Sequence, residues 1–303
     1  MNTLEIHALK KRFGQNDVLK GVELSVPPHS VYGLIGQNGA GKTTTMRIVL
    51  GLLAQDEGEV YVCGEKVKYG ETKTNRYIGY LPDVPEFYGY MSPEEYLGLC
   101  GRISGMDHSG IKEKSEELLC LSGLKDSRKK RIAGFSRGMK QRLGIAQALL
   151  NEPRLLICDE PTSALDPMGR KEILDILEQV KEKTTVIFST HILSDVERIC
   201  DSVAILHNGT IIQDGNLEEL KMRHMADSLL LELRRPEDMK GLLGKLQGLQ
   251  AKQHDKVSLV IHAPDIYETQ YRLMKILSES RTAVEKLEIQ EPSLEHLFME
   301  AVR

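Results

Sequence analysis

The chain has 303 residues, 41% of them hydrophobic, enough for one large domain or two smaller ones with buried cores. Its 40 basic and 44 acidic residues leave a formal charge of −4, so no global attraction to nucleic acid or anionic lipid is built in, and no nucleic-acid partner is expected. Five cysteines, an odd number with no C-x-x-C pair, read as reduced core thiols rather than a disulfide frame.

The first residues carry no apolar signal-peptide core, and no run nears the ~18 apolar residues of a bilayer span. The expectation is a soluble chain that reaches a membrane only through a partner. Residues 4–9 and 18–26 read as strands around a turn at 14–17. Val31–Ile35 is a short apolar strand running into a glycine-rich loop, with a helix expected over 42–53. Further strands are expected at 59–62 and 77–80. From about 92 to 150 the pattern is helical, and Ser92-Pro93-Glu94-Glu95 is a helix start, with Ser as N-cap, Pro at the first position and Glu reaching back.

The strand signature returns at 155–158, followed by a helix over 168–183, a strand at 185–189 and a helix at 193–199. Strands alternating with helices predict a largely parallel sheet covered on both faces. Residues 203–206 and 210–213, joined through Asn208-Gly209, read as a hairpin. After Asn216 come a short helix (217–224), a strand (228–233), a helix (236–246), a strand (257–261), a helix (265–278), a strand (283–288) and a last helix (293–302). A weak strand at 249–253 would make this order β-α-β-β-α-β, the split ferredoxin-like pattern.

Gly36-Gln37-Asn38-Gly39-Ala40-Gly41-Lys42-Thr43 fits G-x-x-x-x-G-K-[ST], with a strand before it and a helix after it. Backbone N–H groups of such a loop close around phosphate oxygens, and the helix N-terminus adds the positive end of its dipole. Lys42 would bridge the β- and γ-phosphates, the Thr43 hydroxyl would ligate Mg²⁺, and Thr44 continues the binding turn. Downstream, Leu155-Leu156-Ile157-Cys158-Asp159-Glu160 is a buried strand ending in acids. Asp159 is placed to hold the Mg²⁺ shell and Glu160 to polarise an attacking water.

Between these motifs lies Phe135-Ser136-Arg137-Gly138-Met139-Lys140-Gln141-Arg142, and after them Ser163-Ala164-Leu165-Asp166 and His191. This order resembles the ATPase subunit of ATP-binding cassette (ABC) transporters over roughly residues 1–215. The resemblance implies a P-loop ABC ATPase α/β fold, with a helical subdomain at about 84–150 and a small α+β accessory domain over 216–303. It also implies two such domains paired head to tail, with ATP between the P-loop of one and the signature of the other. Ser136 and Gly138 would then touch the γ-phosphate across the dimer, and Asp166 would signal between sites. His191 would meet the γ-phosphate in the same chain, and Phe13 would stack on adenine. The separate partner implied is an integral membrane permease, with this chain peripheral on the inner face of the membrane.

The chain departs from the commonest family pattern at several points. Gln37 stands where proline is common. Arg137 and Met139 replace glycine and glutamine in the signature, although Ser136 and Gly138 survive. Asp83, in Ile78-Gly79-Tyr80-Leu81-Pro82-Asp83, stands where most members have a glutamine that meets Mg²⁺ and water. An unscreened carboxylate ~5 Å from the γ-phosphate would cost about 3 kcal/mol at an effective dielectric of ~20, so a stronger Mg²⁺ requirement is expected.

Pro85-Glu86-Phe87-Tyr88-Gly89-Tyr90-Met91 is dense in aromatics for a chain with 5% of them. In the family this region borders the groove for a cytoplasmic helix of the membrane subunit. The basic run Arg128–Arg131 reads as a solvated or inter-domain face. The closing segment Glu291-Pro292-Ser293-Leu294-Glu295-His296-Leu297-Phe298 resembles a subgroup of drug, antibiotic, lipid, polysaccharide and ion exporters. An ABC-type ATPase acting on ribosomes or DNA, or an importer ATPase, is the competing class. One P-loop per chain and the short interval between Gly41 and Asp159 weigh against the former. A GTP switch lacks its N-K-x-D.

Overall fold

In the computed structural model, which describes residues 2–223, 228–246, 248–263, 265–289 and 294–301, the chain divides into two compact units, one ending at Leu217 and one spanning Glu218–Ala301. The first contains β1 (Leu4–Phe13), β2 (Asn16–Val26), β3 (Val31–Ile35), α1 (Lys42–Val49), β4 (Glu57–Val62), β5 (Glu65–Lys66) and β6 (Ile78–Leu81). Then follow α2 (Pro93–Ile103), α3 (His108–Leu121), α4 (Arg137–Ala148), β7 (Leu155–Asp159), α5 (Pro167–Val180), β8 (Thr185–Thr190), α6 (Leu193–Ile199), β9 (Ser202–His207) and β10 (Thr210–Asn216).

A six-stranded sheet runs β10-β9-β3-β8-β7-β6, parallel throughout except for the β9–β10 hairpin. Strand alternation decides how its two faces are covered. Tyr32 and Leu34 of β3 join a core with Met46 and Val49 of α1 and with the antiparallel sheet β2-β1-β4-β5. Gly33, between them, points the other way, onto Val196 and Cys200 at α6. With both faces buried, β3, β7 and β8 carry no exposed residue. That is why they read as continuous apolar runs.

The expected helix start at Ser92 forms a complete capping box: the Glu95 N–H donates to Ser92 Oγ and Glu95 Oε2 accepts from the Ser92 N–H. The helix expected to reach residue 53 stops at Val49. Gly51 adopts φ +68°, its N–H donates to the Ile48 carbonyl and the Leu52 N–H to that of Arg47, a Schellman closure that outweighs the apolar residues beyond it. The five cysteines form no disulfide: Cys158 is fully buried, Cys63 packs against the main core and Cys200 packs beneath Gly33, whereas Cys120 is exposed and departs from the expected core setting. Among the described residues no helix is long and apolar enough to cross a membrane.

Gly79 in β6 lies against the C-terminal end of α4; a Cβ there would stand 2.2 Å from the Ala148 carbonyl oxygen. Because neither backbone segment can yield cheaply, Gly79→Ala is expected to destabilise the fold by about 3 kcal/mol. Urea unfolding checks this as a lowered midpoint at unchanged slope; a wild-type midpoint would contradict the packing described.

The second unit holds most of α7 (Leu217–Arg223), then β11 (Ser228–Leu233), α8 (Asp238–Leu243), β12 (Gln250–Gln253), β13 (Ser258–His262), α9 (Ile266–Ser280), β14 (Val284–Ile289) and α10 (Leu294–Ala301). Its antiparallel sheet is ordered β12-β13-β11-β14, the split β-α-β-β-α-β arrangement. Leu229, Leu231 and Leu233 alternate into a core with Met239, Leu242 and Leu273. The weak strand expected at 249–253 is the polar edge strand β12. Helix α8 is shorter than the expected 236–246, and residues 224, 293 and 302 of the expected helices lie outside the described residues.

Candidate active site

Strand β3 delivers the 36–41 loop to the edge of the parallel sheet, where α1 begins. Gly39 and Gly41 have φ of +84° and +113°, and Gly41 caps α1 without any side-chain bond. The first-turn N–H groups are therefore left for an anion. Lys42 is only 6% exposed. Its Nζ donates to the carbonyls of Gly36 (2.7 Å) and Gln37 (3.3 Å) and lies 3.4 Å from Glu160 Oε1.

Strand β7 ends on the two acids. Asp159 is buried, and its Oδ1 accepts from the Ser189 hydroxyl (2.6 Å) and the Thr43 hydroxyl (3.3 Å). Glu160 sits at φ +48°, the left-handed region that a non-glycine residue occupies only when its surroundings hold it there. Those surroundings are visible: its N–H donates to Ser189 O and Oγ, both at 3.1 Å. The reversal aims one carboxylate oxygen at Lys42 and puts the other 2.9 Å from His191 Nδ1. Glu160 thus bridges the P-loop lysine and the histidine, with its side chain 15% exposed.

These groups open on a cleft of about 760 Å³. Phe13, half-exposed at the end of β1, is among its lining residues, with Lys11 Nζ 5.4 Å from the ring centroid. Asn38, Gly39, Gly41, Thr43 and Thr44 of the loop line the cleft together with Asp83, Asp159 and Glu160. Gly36 and Ala40 are buried behind the loop. Burial and the Asp159 charge push the Tyr80 phenol, also on the cleft wall, above its ordinary value.

Comparison with known proteins gives the family. Residues 19–163 match the ABC transporter family, and residues 215–302 match the C-terminal domain of DrrA1-3-like ATP-binding proteins. The ABC transporter ATP-binding protein YxlF of Bacillus subtilis (strain 168) is 39% identical, over 99% of each chain. The chain belongs to the ATP-binding subunits of ABC transporters. The bacitracin transport ATP-binding protein BcrA of Bacillus licheniformis is 34% identical over 97% of this chain and 95% of that one. A solved structure of an ATP-binding subunit of an ABC transporter superposes with a TM-score of 0.66 at 34% identity, covering 73% of this chain and 93% of that one. As an ABC ATPase, this chain binds and hydrolyses ATP.

Two signature residues of this ABC ATPase stand apart from its own cleft. Ser136 N-caps α4, its Oγ accepting from the Met139 N–H at 3.2 Å, and neither it nor Gly138 is among the cleft-lining residues. Asp166 is exposed and N-caps α5 through the Gly169 N–H. The expectation of an unscreened Asp83 needs correction. Arg137 Nη2 donates to Asp83 Oδ1 at 3.1 Å, so the carboxylate on the cleft wall carries a counter-charge.

Sequence reasoning missed Ser189, which positions both acids at once. Its only signal was a polar end on the apolar run Thr185–Thr190. It also missed a network in which the buried Asp195 of α6 accepts from the Thr162 hydroxyl (2.7 Å) and from Arg170 (2.6 Å). Asp195 is 3% exposed, so this network ties the segment after Glu160 to the segment after His191.

The aromatic stretch divides in two. Phe87 packs edge-on against Tyr96 with ring centroids 5.0 Å apart, whereas Tyr88 and Tyr90 are 54% and 71% exposed. Arg128–Arg131 are exposed throughout, between α3 and α4.

Proposed function

We propose that the chain works as one of two copies, each cleft being closed by Ser136 and Gly138 of the other, to drive a separate membrane permease that exports its substrate. The observation that carries this reading is that the P-loop and the β7 acids line the cleft while the signature residues of the same chain do not. A site so divided is complete only when a second copy supplies the missing wall.

The donors present fit Mg²⁺: Thr43 Oγ1 and Asp159 Oδ1 are hard oxygen atoms 3.3 Å apart. Bound there, the ion would neutralise charge on the β- and γ-phosphates. Lys42 holds those phosphates, Glu160 orients water for in-line attack, and His191 holds Glu160 and meets the γ-phosphate. Phe13 stacks on the base; a π-face reads little of the base edge, so it discriminates weakly between ATP and GTP. Catalysis on this reading is positioning and charge stabilisation.

The exposed Tyr88 and Tyr90 form the rim that receives a helix of the permease. The chain is then peripheral on the inner membrane face, and its second unit steadies or regulates the pair. The bacitracin transport and DrrA1-3-like relatives support an exporter. Purifying the tagged chain from membranes tests the reading: a polytopic protein should accompany it, whereas ribosomal protein or DNA would overturn it. Tyr88→Ala/Tyr90→Ala should lose that permease while keeping ATP binding; intact co-purification and transport would remove the docking role.

A further inference from the structure

Asp83 and Arg137, at two of the positions where the chain departs from the commonest family pattern, lie 54 residues apart and meet in one ion pair at 3.1 Å. Other contacts hold the same two segments together. Gln141, fully buried one turn after Arg137 on α4, donates through Nε2 to the Asp83 backbone carbonyl at 2.8 Å. One turn further, Gly144 leaves the space in which Leu81 and Pro85 pack; a Cβ there would stand 2.5 Å from Leu81 and 3.4 Å from Pro85. The register of α4 on the 81–85 segment is therefore set by Gln141 and by packing, not by the two charges. The charges have another role.

Asp83 forms part of the wall between two cavities. One is the ATP cleft, and the other is a groove of about 440 Å³ lined by Arg137, Lys140, Pro85 and Phe87. We propose that Arg137 is a positioning residue that neutralises Asp83, so that the ATP cleft presents no uncompensated negative charge where the γ-phosphate lies. A glutamine and a glycine at these two positions would reach the same neutrality without charges. This rests on the proposed placement of the phosphates at Lys42, in the cleft that Asp83 also lines. Because the side chains are 46% and 42% exposed, solvent weakens the field, and the effect is modest.

The test is a double-mutant cycle read by calorimetric titration of ATP and ADP onto the full chain, in EDTA and in Mg²⁺. In EDTA, Arg137→Gly should weaken ATP binding by about three- to tenfold, because Asp83 then faces the phosphates alone. In the Asp83→Gln background the same change should cost about twofold or less, so Asp83→Gln restores what Arg137→Gly loses. Mg²⁺ should shrink the Arg137→Gly loss by screening, and ADP, without the γ-phosphate charge, should show little of it. Arg137→Lys should retain most of the wild-type affinity.

An equal ATP loss in both Asp83 backgrounds would overturn the proposal, since Arg137 would then act on phosphate directly or on the fold. An equal loss for ADP would also overturn it. Failure of the underlying site would look different: the wild-type chain would not bind ATP, or Lys42→Ala would leave binding unchanged.

Discussion

Glu160→Gln is expected to cut ATP turnover by about 10²- to 10⁴-fold while leaving ATP binding intact. The amide keeps the volume of the carboxylate and the backbone anchoring of residue 160 on Ser189, but it cannot accept a proton from an attacking water. The charges around Glu160 add a second consequence. Glu160 lies 3.4 Å from Lys42, and both side chains are largely buried, so the glutamine leaves the ammonium short of an anionic partner. ATP then meets a more positive site, and affinity should hold or rise. With hydrolysis blocked, paired chains should accumulate on adding Mg²⁺-ATP. Steady-state turnover, calorimetry and size-exclusion chromatography check the three parts. More than about a tenth of wild-type turnover would refute the assigned role.

Lys42→Ala is expected to have the opposite signature, losing binding first. On the proposed reading the lysine, 6% exposed, contributes a charge-assisted contact to the phosphates, and removing it should weaken ATP by about ten- to a hundredfold. The damage extends beyond one contact. The carbonyls of Gly36 and Gln37 lose their donor, and Glu160 loses its cation. Lys42→Arg should rescue little, because a planar fork does not fit a site built for a compact ammonium. Titration of ATP decides the matter; an affinity within about threefold of wild type would remove Lys42 from the phosphate site.

Most of the candidate nucleotide site was legible because its residues are local in sequence. A phosphate loop needs glycines, a lysine and a helix start within a few residues, and the strand before it must be apolar on both faces. The same holds for Asp159 and Glu160 at the end of β7, for the capping box at Ser92 and for the positive-φ pair Asn208-Gly209 between β9 and β10. The order of motifs then identified the family. Element ends were less legible. Helix α1 stops at the Gly51 closure although the apolar residues continue, because backbone hydrogen bonding ends a helix where hydrophobic pattern does not.

What the sequence by itself determined was the chemistry available: a phosphate loop, two acids at a strand end, a signature segment and a histidine, in an order that specifies an ABC ATPase with a second small unit. Only the tertiary structure decided how the charges are shared. The Lys42–Glu160–His191 bridge, the grip of Ser189 on both acids, the Thr162–Asp195–Arg170 network and the Asp83–Arg137 pair each join residues from different elements. Their distances follow from sheet order and helix packing, and no local spacing encodes those. Asp83 shows the difference most plainly. Read along the chain it is an isolated acid facing phosphate; in the fold, α4 places a guanidinium 3.1 Å from it.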